Sequence, residues 1–544
     1  MNKIYNLFFV YNEKLVNKNS NKKRMGKTQK KTKDKDDKKD NSKKTIKDMT
    51  PVVKVIDPKA MVDKYMKDRN EYHIYPDKNN IFNGKYFTCT LNKCDLNKNN
   101  NKYEIVQLLE HDTNGSLVLF LRWGRVGYMR GTSTKPVNSI TGPKEFMKKY
   151  KDKTINHSYQ EIFIDYEAEI KKEDLNKLEK KTNQPKKKFN NKLDKDVADL
   201  IRLIYDKKMI EENLHEIGYD SKKMPLGKLS SSTLTHGLTI LKQIEDELNN
   251  KNPNKENLTK LTSQFYSQIP HNFGFKKMVN FIIDSKEKIK EKIDMINSLG
   301  DMKITLHILE TADSDEEEFE NQEEKQLYDC YKKLNCDIRS ISKDEEIYSK
   351  LNKYLTAKIN SNDDYNYRNK LSLIKAYEIS RHGEIEKFKD YGNKKLLWHG
   401  SRITNFVGIL SQGLRIAPPE APSSGYLYGK GVYFADMSKK SSYYCYPVNN
   451  EALILLGEVS LGKEDQRDDT DYNLPKTLKK GTHSVHALGR LEASEGENIN
   501  GDVFVPNGEV KINHNNSSYS DYAEYIVYDV DQIKLRYLLK IKYN

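Results

Sequence analysis

Five short stretches carry residue types that could do chemistry. Leu396-Leu397-Trp398-His399-Gly400-Ser401-Arg402 ends a short apolar strand in a His-Gly-Ser turn. Such a turn gathers an imidazole, an unshielded backbone N–H and C=O and a hydroxyl, a set suited to a hydroxylated, amide-bearing ligand. A lone turn histidine with a purely structural role is the alternative. Gly429-Lys430-Gly431-Val432-Tyr433-Phe434-Ala435-Asp436 and Lys440-Ser441-Ser442-Tyr443-Tyr444 add glycines for close backbone approach and tyrosines able to stack on a flat ring. In a chain with 35 tyrosines such a cluster is also ordinary core. Glu524 stands in Ala523-Glu524-Tyr525-Ile526-Val527-Tyr528-Asp529, where a strand should be buried; a carboxylate there has an ion partner or a task. Trp123-Gly124-Arg125-Val126-Gly127 follows a strand-like run. Its indole can stack on a sugar or base while the guanidinium reaches phosphate. A core tryptophan beside a surface arginine is the plainer reading.

Other constellations fail. Gly-x-Ser-x-Gly is absent, as are a Walker A loop and a dinucleotide Gly-x-Gly-x-x-Gly after a strand, so any NAD binding would not be of the Rossmann type. His483 and His486 have the chemistry of metal ligands, but Thr482-His483-Ser484-Val485-His486 reads more simply as a polar surface loop. Cys89/Cys94 and Cys330/Cys336 have the wrong spacing for paired zinc knuckles. Five cysteines make no disulfide scaffold, so a reducing compartment and no structural metal are expected.

The elements that position these residues must be spread over several domains, since 544 residues make three or four at roughly 150 each. Charged residues reach 32% and mean hydropathy is -0.86, so part of the chain is solvated tail or linker. No apolar run approaches the ~18 residues of a membrane-spanning helix, and no membrane partner is expected. Of the net charge of +15, residues 1–60 carry +11, from 18 Lys and Arg against 7 Asp and Glu. A basic tail on a nearly neutral body suits a polyanion held by counterion release, a solvated lysine-rich tail being the bland alternative. Met1 to Val10 is too short for a signal peptide, and Met25 offers a second start.

Residues 1–65 read as a disordered basic tail, and 70–170 as a β-rich domain with its best strands at 105–109 and 117–122. Residues 171–191 read as a linker. Over 192–310 the period becomes helical, with Val197, Leu200, Ile201, Ile204, Leu258, Leu261 and Phe265 in phase. Phe275, Met278, Val279, Ile282, Ile289, Ile293, Ile296 and Leu299 continue it to a C-cap at Gly300. Eight of the fourteen residues 311–324 are acidic and read as an exposed linker. Residues 325–544 are mixed α/β. The expected class is therefore multidomain α+β: basic tail, β-rich domain, all-α bundle and mixed α/β domain.

Taken in order, these stretches resemble a DNA-dependent poly(ADP-ribose) polymerase of the short nuclear type without zinc fingers. Asn99 to Tyr103, Gln107-Leu108-Leu109 and Trp123-Gly124-Arg125 are similar to the family's WGR DNA-binding domain. Lys223-Met224-Pro225-Leu226-Gly227-Lys228-Leu229-Ser230, Phe265-Tyr266 and Ile269-Pro270-His271 are similar to its helical regulatory domain. Residues 398–444, including Gly413-Leu414-Arg415-Ile416-Ala417-Pro418-Pro419-Glu420, and residues 520–539 are similar to its ADP-ribosyltransferase domain.

The resemblance implies NAD+ as substrate, without a metal. His399, Tyr433 and Glu524 correspond to the catalytic triad of the polymerising members. His399 would bind the adenosine ribose, and Gly400 and Ser441 the nicotinamide carboxamide. Tyr444 would stack on the nicotinamide, with Tyr433 across the pocket; Ser401 and Arg415 would contact the adenosine end. Glu524 would stabilise positive charge on the ribose as nicotinamide leaves. Asn101, Lys102, Trp123 and Arg125 are the implied DNA contacts. The implied function is a nuclear, monomeric poly-ADP-ribosyltransferase activated by nicks or ends in damaged DNA, modifying itself and proteins such as histones. A mono-ADP-ribosyltransferase and an inactive DNA-end-binding scaffold are the alternatives. The chain departs from the family at His157-Ser158-Tyr159, where a tryptophan and a Gly-Lys-Tyr segment are usual, so part of the WGR surface is shortened.

Overall fold

The computed structural model describes residues 52–56, 58–59, 61–164, 167–171, 193–216, 229–311, 322–357, 371–493, 495–499, 501–508, 510–512 and 520–544. Most of the expected tail, linker and acidic stretch, and residues 223–228 of the helical-domain motif, lie outside them.

The amino-terminal region is an antiparallel sheet in the order β6 (Tyr128–Val137), β5 (Leu117–Arg125), β4 (Asn100–His111), β3 (Thr88–Asp95) and β7 (Gln160–Ile162), with β2 (Tyr72–Ile74) also on β4. β1 (Val52–Ile56) and β8 (Glu167–Lys171) pair with each other. β5 is buried along most of its length because both faces of this sheet are covered. Val106, Leu108 and Leu119 pack under Phe146 of helix α1 (Thr141–Lys151). Leu109, Val118 and Phe120 pack under Met61, Val62 and Met66. The tail therefore stops earlier than expected: Met61, Val62, Asp63 and Met66 are core, and Asp63 takes two hydrogen bonds from the buried Arg122, at 3.0 and 2.7 Å. Composition hid this, because one ion pair and three apolar side chains do not alter the polar average of the segment.

Among the described residues five helices follow: α2 (Lys195–Ile204), α3 (Lys207–Glu216), α4 (Ser231–Leu248), α5 (Lys255–Gln268) and α6 (Lys286–Thr311). Asp194, Ser230 and Asn254 cap α2, α4 and α5 by accepting first-turn backbone N–H groups. The expected stop at Gly300 is absent; α6 continues to Thr311 because it is packed on both sides of that glycine. Ile289, Ile293, Ile296 and Leu299 enter a core shared with α4, α5 and the end of the β-domain, whereas Ile308 and Leu309 enter the core of the next region. Phe275 and Val279 leave the helical pattern and face solvent, in a loop ending in a short 3-10 turn, Met278–Phe281.

After α7 (Gln322–Lys333) comes a seven-stranded sheet in the order β17 (Glu497–Ile499), β18 (Val503–Val505), β11 (Lys394–Gly400), β13 (Glu451–Ser460), β22 (Ile533–Tyr543), β10 (Leu371–Arg381) and β9 (Cys336–Ile341). α8 (Glu346–Leu355) and α9 (Phe406–Gln412) cover its faces. β13 reads as one apolar run because Leu453 and Leu455 enter one core and Ile454 and Leu456 the opposite one. A second sheet runs β12 (Val432–Phe434), β21 (Glu524–Val527), β15 (Ser484–Ala487) and β14 (Glu464–Arg467), with α10 (Ser438–Ser442) after β12. β16 (Gly489–Ala493), β19 (Val510–Ile512) and β20 (Ser520–Tyr522) form a third. The multidomain α+β class is the observed one. His486 does not lie in a surface loop: it is buried in β15, stacked on Tyr525 and 3.3 Å from the Glu464 carboxylate. Among the described residues no helix is long and apolar enough to cross a membrane.

Asp63→Ala leaves Arg122 buried without its carboxylate, which should cost roughly 3–5 kcal/mol. The expected readout is faster hydrogen exchange in β4 and β5 with β13 and β22 unchanged. Unaltered protection in β4 and β5 would contradict the assignment of the pair to the core.

Candidate active site

β11 lies between β13 and β18, so Leu396, Leu397 and Trp398 are buried and the strand ends in His399 and Gly400. Two backbone bonds fasten this end to the segment after β12: Trp398 N–H to the Ala435 carbonyl at 2.8 Å, and Ala435 N–H back to the Trp398 carbonyl at 3.0 Å. The imidazole of His399 is thereby set against Tyr433, and its Nδ1 donates to the Tyr433 carbonyl at 2.9 Å. A carbonyl only accepts, so Nδ1 carries the proton and Nε2 is an acceptor in the neutral ring. Burial holds the imidazole below its ordinary pKa, only partly offset by that bond.

Gly400 is required by proximity. A Cβ there would lie 1.9 Å from the Ser441 carbonyl oxygen. The buried Ser441 hydroxyl donates to the Trp398 carbonyl at 3.0 Å, which leaves its oxygen to accept from a ligand N–H. Tyr444 follows α10, its N–H bonded to the Ser441 carbonyl at 3.1 Å, and its ring is exposed. Tyr433 is locked by its hydroxyl, which donates to the Gly429 carbonyl at 2.7 Å and accepts from Tyr428 N–H at 3.0 Å. Burial pushes that phenol far above its usual range.

Glu524 opens β21, which pairs with β12 on one side and β15 on the other. It is 7% exposed, and Lys440 Nζ stands 3.2 Å from its Oε1. Sequence reasoning missed Lys440; its only signal was its place just before Ser441. The structure thus brings His399, Gly400, Tyr433, Ser441, Tyr444 and Glu524 to one cleft. Ser401 sits beside it, its hydroxyl accepting from Asn405 at 3.0 Å.

Arg415 is engaged elsewhere. Its guanidinium pairs with the buried Asp301 of α6, and Gly408 leaves room for that carboxylate. Along the same helix, Lys290 Nζ lies 5.4 Å from the centroid of the Tyr444 ring and its stem packs on Gly425. Asp294 and Asn297 face the Tyr426 hydroxyl. Residues 290, 294, 297 and 301 form one stripe at helical spacing, so α6 lays a polar edge along the cleft. From α3, Asn213 and Glu216 approach Arg402 at 3.1 and 3.6 Å. From α4, Glu245 accepts from the backbone N–H groups of Ser423 and Ser424 at 3.0 and 2.5 Å.

The four implied DNA contacts separate. Lys102 is exposed and Trp123 is half-buried, its indole lying against Gly131. Asn101 is fully buried and donates to the His271 carbonyl at 2.8 Å. Arg125 donates to the Gly274 carbonyl at 2.8 Å and the Asn99 carbonyl at 2.9 Å. Asn101 and Arg125 thus serve the boundary between the two regions: Asn101 donates to His271 of the helical region, and Arg125 to Gly274 there and to Asn99 of the β-domain itself. His271 in turn meets Lys292 of α6, Nε2 to Nζ at 3.2 Å, and burial brings that ammonium down to about 8. Among the described residues no group of three or more His, Cys, Asp or Glu could hold a metal ion.

Three family models match the chain: the poly(ADP-ribose) polymerase catalytic domain over residues 345–543, the poly(ADP-ribose) polymerase regulatory domain over 191–331, and the WGR domain over 87–163. The chain is 38% identical over 514 residues to rice (Oryza sativa subsp. japonica) poly [ADP-ribose] polymerase 2-A, covering 89% of this chain and 74% of the relative. It is 37% identical to a Zea mays poly [ADP-ribose] polymerase 2, with the same coverage. A Homo sapiens poly [ADP-ribose] polymerase 2 is 35% identical, over 87% of this chain and 81% of the relative.

The geometry of His399 makes a prediction independent of any ligand. In NMR spectra of labelled histidine, His399 should be the Nδ1–H tautomer and titrate below the ordinary 6.5. An Nε2–H tautomer, or a pKa at or above 6.5, would contradict the site as described.

Proposed function

The chain belongs to the poly(ADP-ribose) polymerase family, and from that premise we propose how its residues divide the work. It is an NAD+ ADP-ribosyltransferase that makes poly(ADP-ribose). The observation that carries the residue assignment is the convergence at one cleft of His399 and Gly400 from β11, Ser441 and Tyr444 from α10 and the turn after it, and Glu524 from β21.

In this reading the nicotinamide ring stacks on Tyr444 and its carboxamide is held by the Gly400 backbone and the Ser441 hydroxyl. His399 Nε2 accepts from a hydroxyl of the adenosine ribose, which only the neutral tautomer can do. Tyr433 fixes the opposite wall, and Ser401 and Arg415 serve the adenosine end. The bond between the nicotinamide nitrogen and ribose C1′ breaks with its electron pair leaving on nicotinamide. Positive charge develops on the ribose, and the Glu524 carboxylate, held by Lys440, stabilises it through the adjacent 2′-hydroxyl. An acceptor oxygen then bonds to C1′. During elongation the acceptor is a hydroxyl of the growing chain, and Glu524 draws its proton.

The α6 stripe supports autoinhibition. Lys290 lies against the face of Tyr444, and Asp301 holds Arg415, so a dinucleotide competes with the helix for both. The β-domain grips residues 266–278: Asn92 donates to the Tyr266 and Ser267 carbonyls, Asn101 to His271 and Arg125 to Gly274. His271 contacts Lys292 on α6. A DNA break bound by the WGR domain would therefore act on α6 through a continuous set of contacts. Nuclear location, monomeric state and acceptors including the enzyme itself and histones complete the reading.

Automodification with labelled NAD+, with and without a nicked duplex, tests it. The expected product is a DNA-dependent high-mass smear. Glu524→Gln should cut chain growth by about 100-fold or more, and polymer of normal length would refute its role. Asp301→Ala should raise the DNA-independent rate about tenfold; an unchanged basal rate would refute the cap.

A further inference from the structure

Phe275 is 77% exposed, in a loop where the sequence pattern expected a buried helical residue. Across the boundary with the β-domain stands Tyr128 at 42% exposure, followed in the chain by Met129 at 50%, while Val279 at 47% lies in the same loop as Phe275. Tyr128 and Phe275 have ring centroids 5.0 Å apart at 40°. Clustered exposure of four large apolar side chains marks a contact surface.

Its surroundings are basic. Residues 99–103, 123–131 and 269–283 contain no Asp or Glu, and supply Lys102, Arg125, Arg130, Lys276 and Lys277. Arg125 holds the three segments together: besides its bonds to Gly274 and Asn99, its guanidinium lies 5.9 Å from the Phe275 centroid and 3.6 Å from Met278 Sδ. Met278 N–H donates to the Asn99 side chain at 3.0 Å, and Gly127 abuts Asn272, where a Cβ would lie 2.5 Å from Oδ1. The patch is thus one surface made by two domains.

We propose that this composite surface binds the exposed end of a DNA duplex, with Phe275 and Tyr128 against the terminal base pair and Lys276 and Lys277 on the flanking phosphates. Aromatic faces among cations are the physical means of holding stacked bases and backbone together. The helical regulatory region is then itself a DNA contact rather than only a receiver of the WGR domain's signal. Asn101 and Arg125 build the surface instead of touching DNA. The inference rests on the reading that the WGR domain grips DNA breaks.

Fluorescence anisotropy with the full chain tests it, using a blunt-ended hairpin duplex and a nicked dumbbell with both ends closed by loops. Phe275→Ala should raise Kd for the open end about tenfold and leave the dumbbell nearly unaffected. Lys276→Ser/Lys277→Ser should flatten the dependence of log Kd on log salt by about 1.8. If both variants bind the open end with wild-type affinity and slope while Trp123→Ala loses binding, the surface is refuted and the WGR reading stands. If the wild-type chain binds neither duplex, that reading falls and the inference with it.

Discussion

The position of the polar stripe beside the cleft depends on the packing of one helix, α6, into two bodies at once. Ile289, Ile293, Ile296 and Leu299 belong to the core of the helical region, while Ile308 and Leu309 belong to the core behind the catalytic sheet. A helix buried on several sides cannot shift one contact without disturbing the others, because packed interiors are bistable rather than continuously deformable. Its polar stripe, Lys290 to Asp301, is consequently held along the cleft by the apolar residues between. Asp301 in particular is buried, and Arg415 is its counter-ion.

The same rigidity makes a distant domain relevant. The β-domain meets the helical region through backbone carbonyls of residues 266–274, and the next contact, His271 to Lys292, is on α6 itself. Lys292 is an ammonium whose pKa burial has lowered to about 8, beside an imidazole that burial keeps neutral. Such a junction tolerates little rearrangement at constant cost. If DNA binding loosens α6 and so favours NAD+, linkage requires that NAD+ in the cleft favour DNA to the same extent.

Much of the candidate site is legible in the sequence because its residues sit in short local stretches. His399-Gly400 and Ser441 to Tyr444 are short words whose backbone geometry follows from glycine and a helical turn, and Glu524 was conspicuous in an apolar strand. What could not be read were contacts between residues more than a hundred positions apart. Arg415 carries no mark that Asp301 will hold it, and nothing in Asn101 or Arg125 distinguishes a DNA contact from an interdomain clamp. Local averages misled elsewhere. Met61 and Val62 were hidden in a polar tail, Gly300 looked like a stop although α6 is packed on both sides of it, and Phe275 and Val279 kept helical spacing while facing solvent. His486 seemed a loop residue until β15 placed it against Tyr525.

The central claim is that α6 and NAD+ compete for the cleft and that DNA decides between them. Calorimetric titration of the full chain with a non-hydrolysable NAD+ analogue measures this directly, with and without saturating nicked duplex. The account predicts weak binding by the chain alone and an affinity about tenfold or more higher with DNA. Equal affinity in the two conditions would mean that the stripe on α6 does not obstruct the cleft, and would contradict the account.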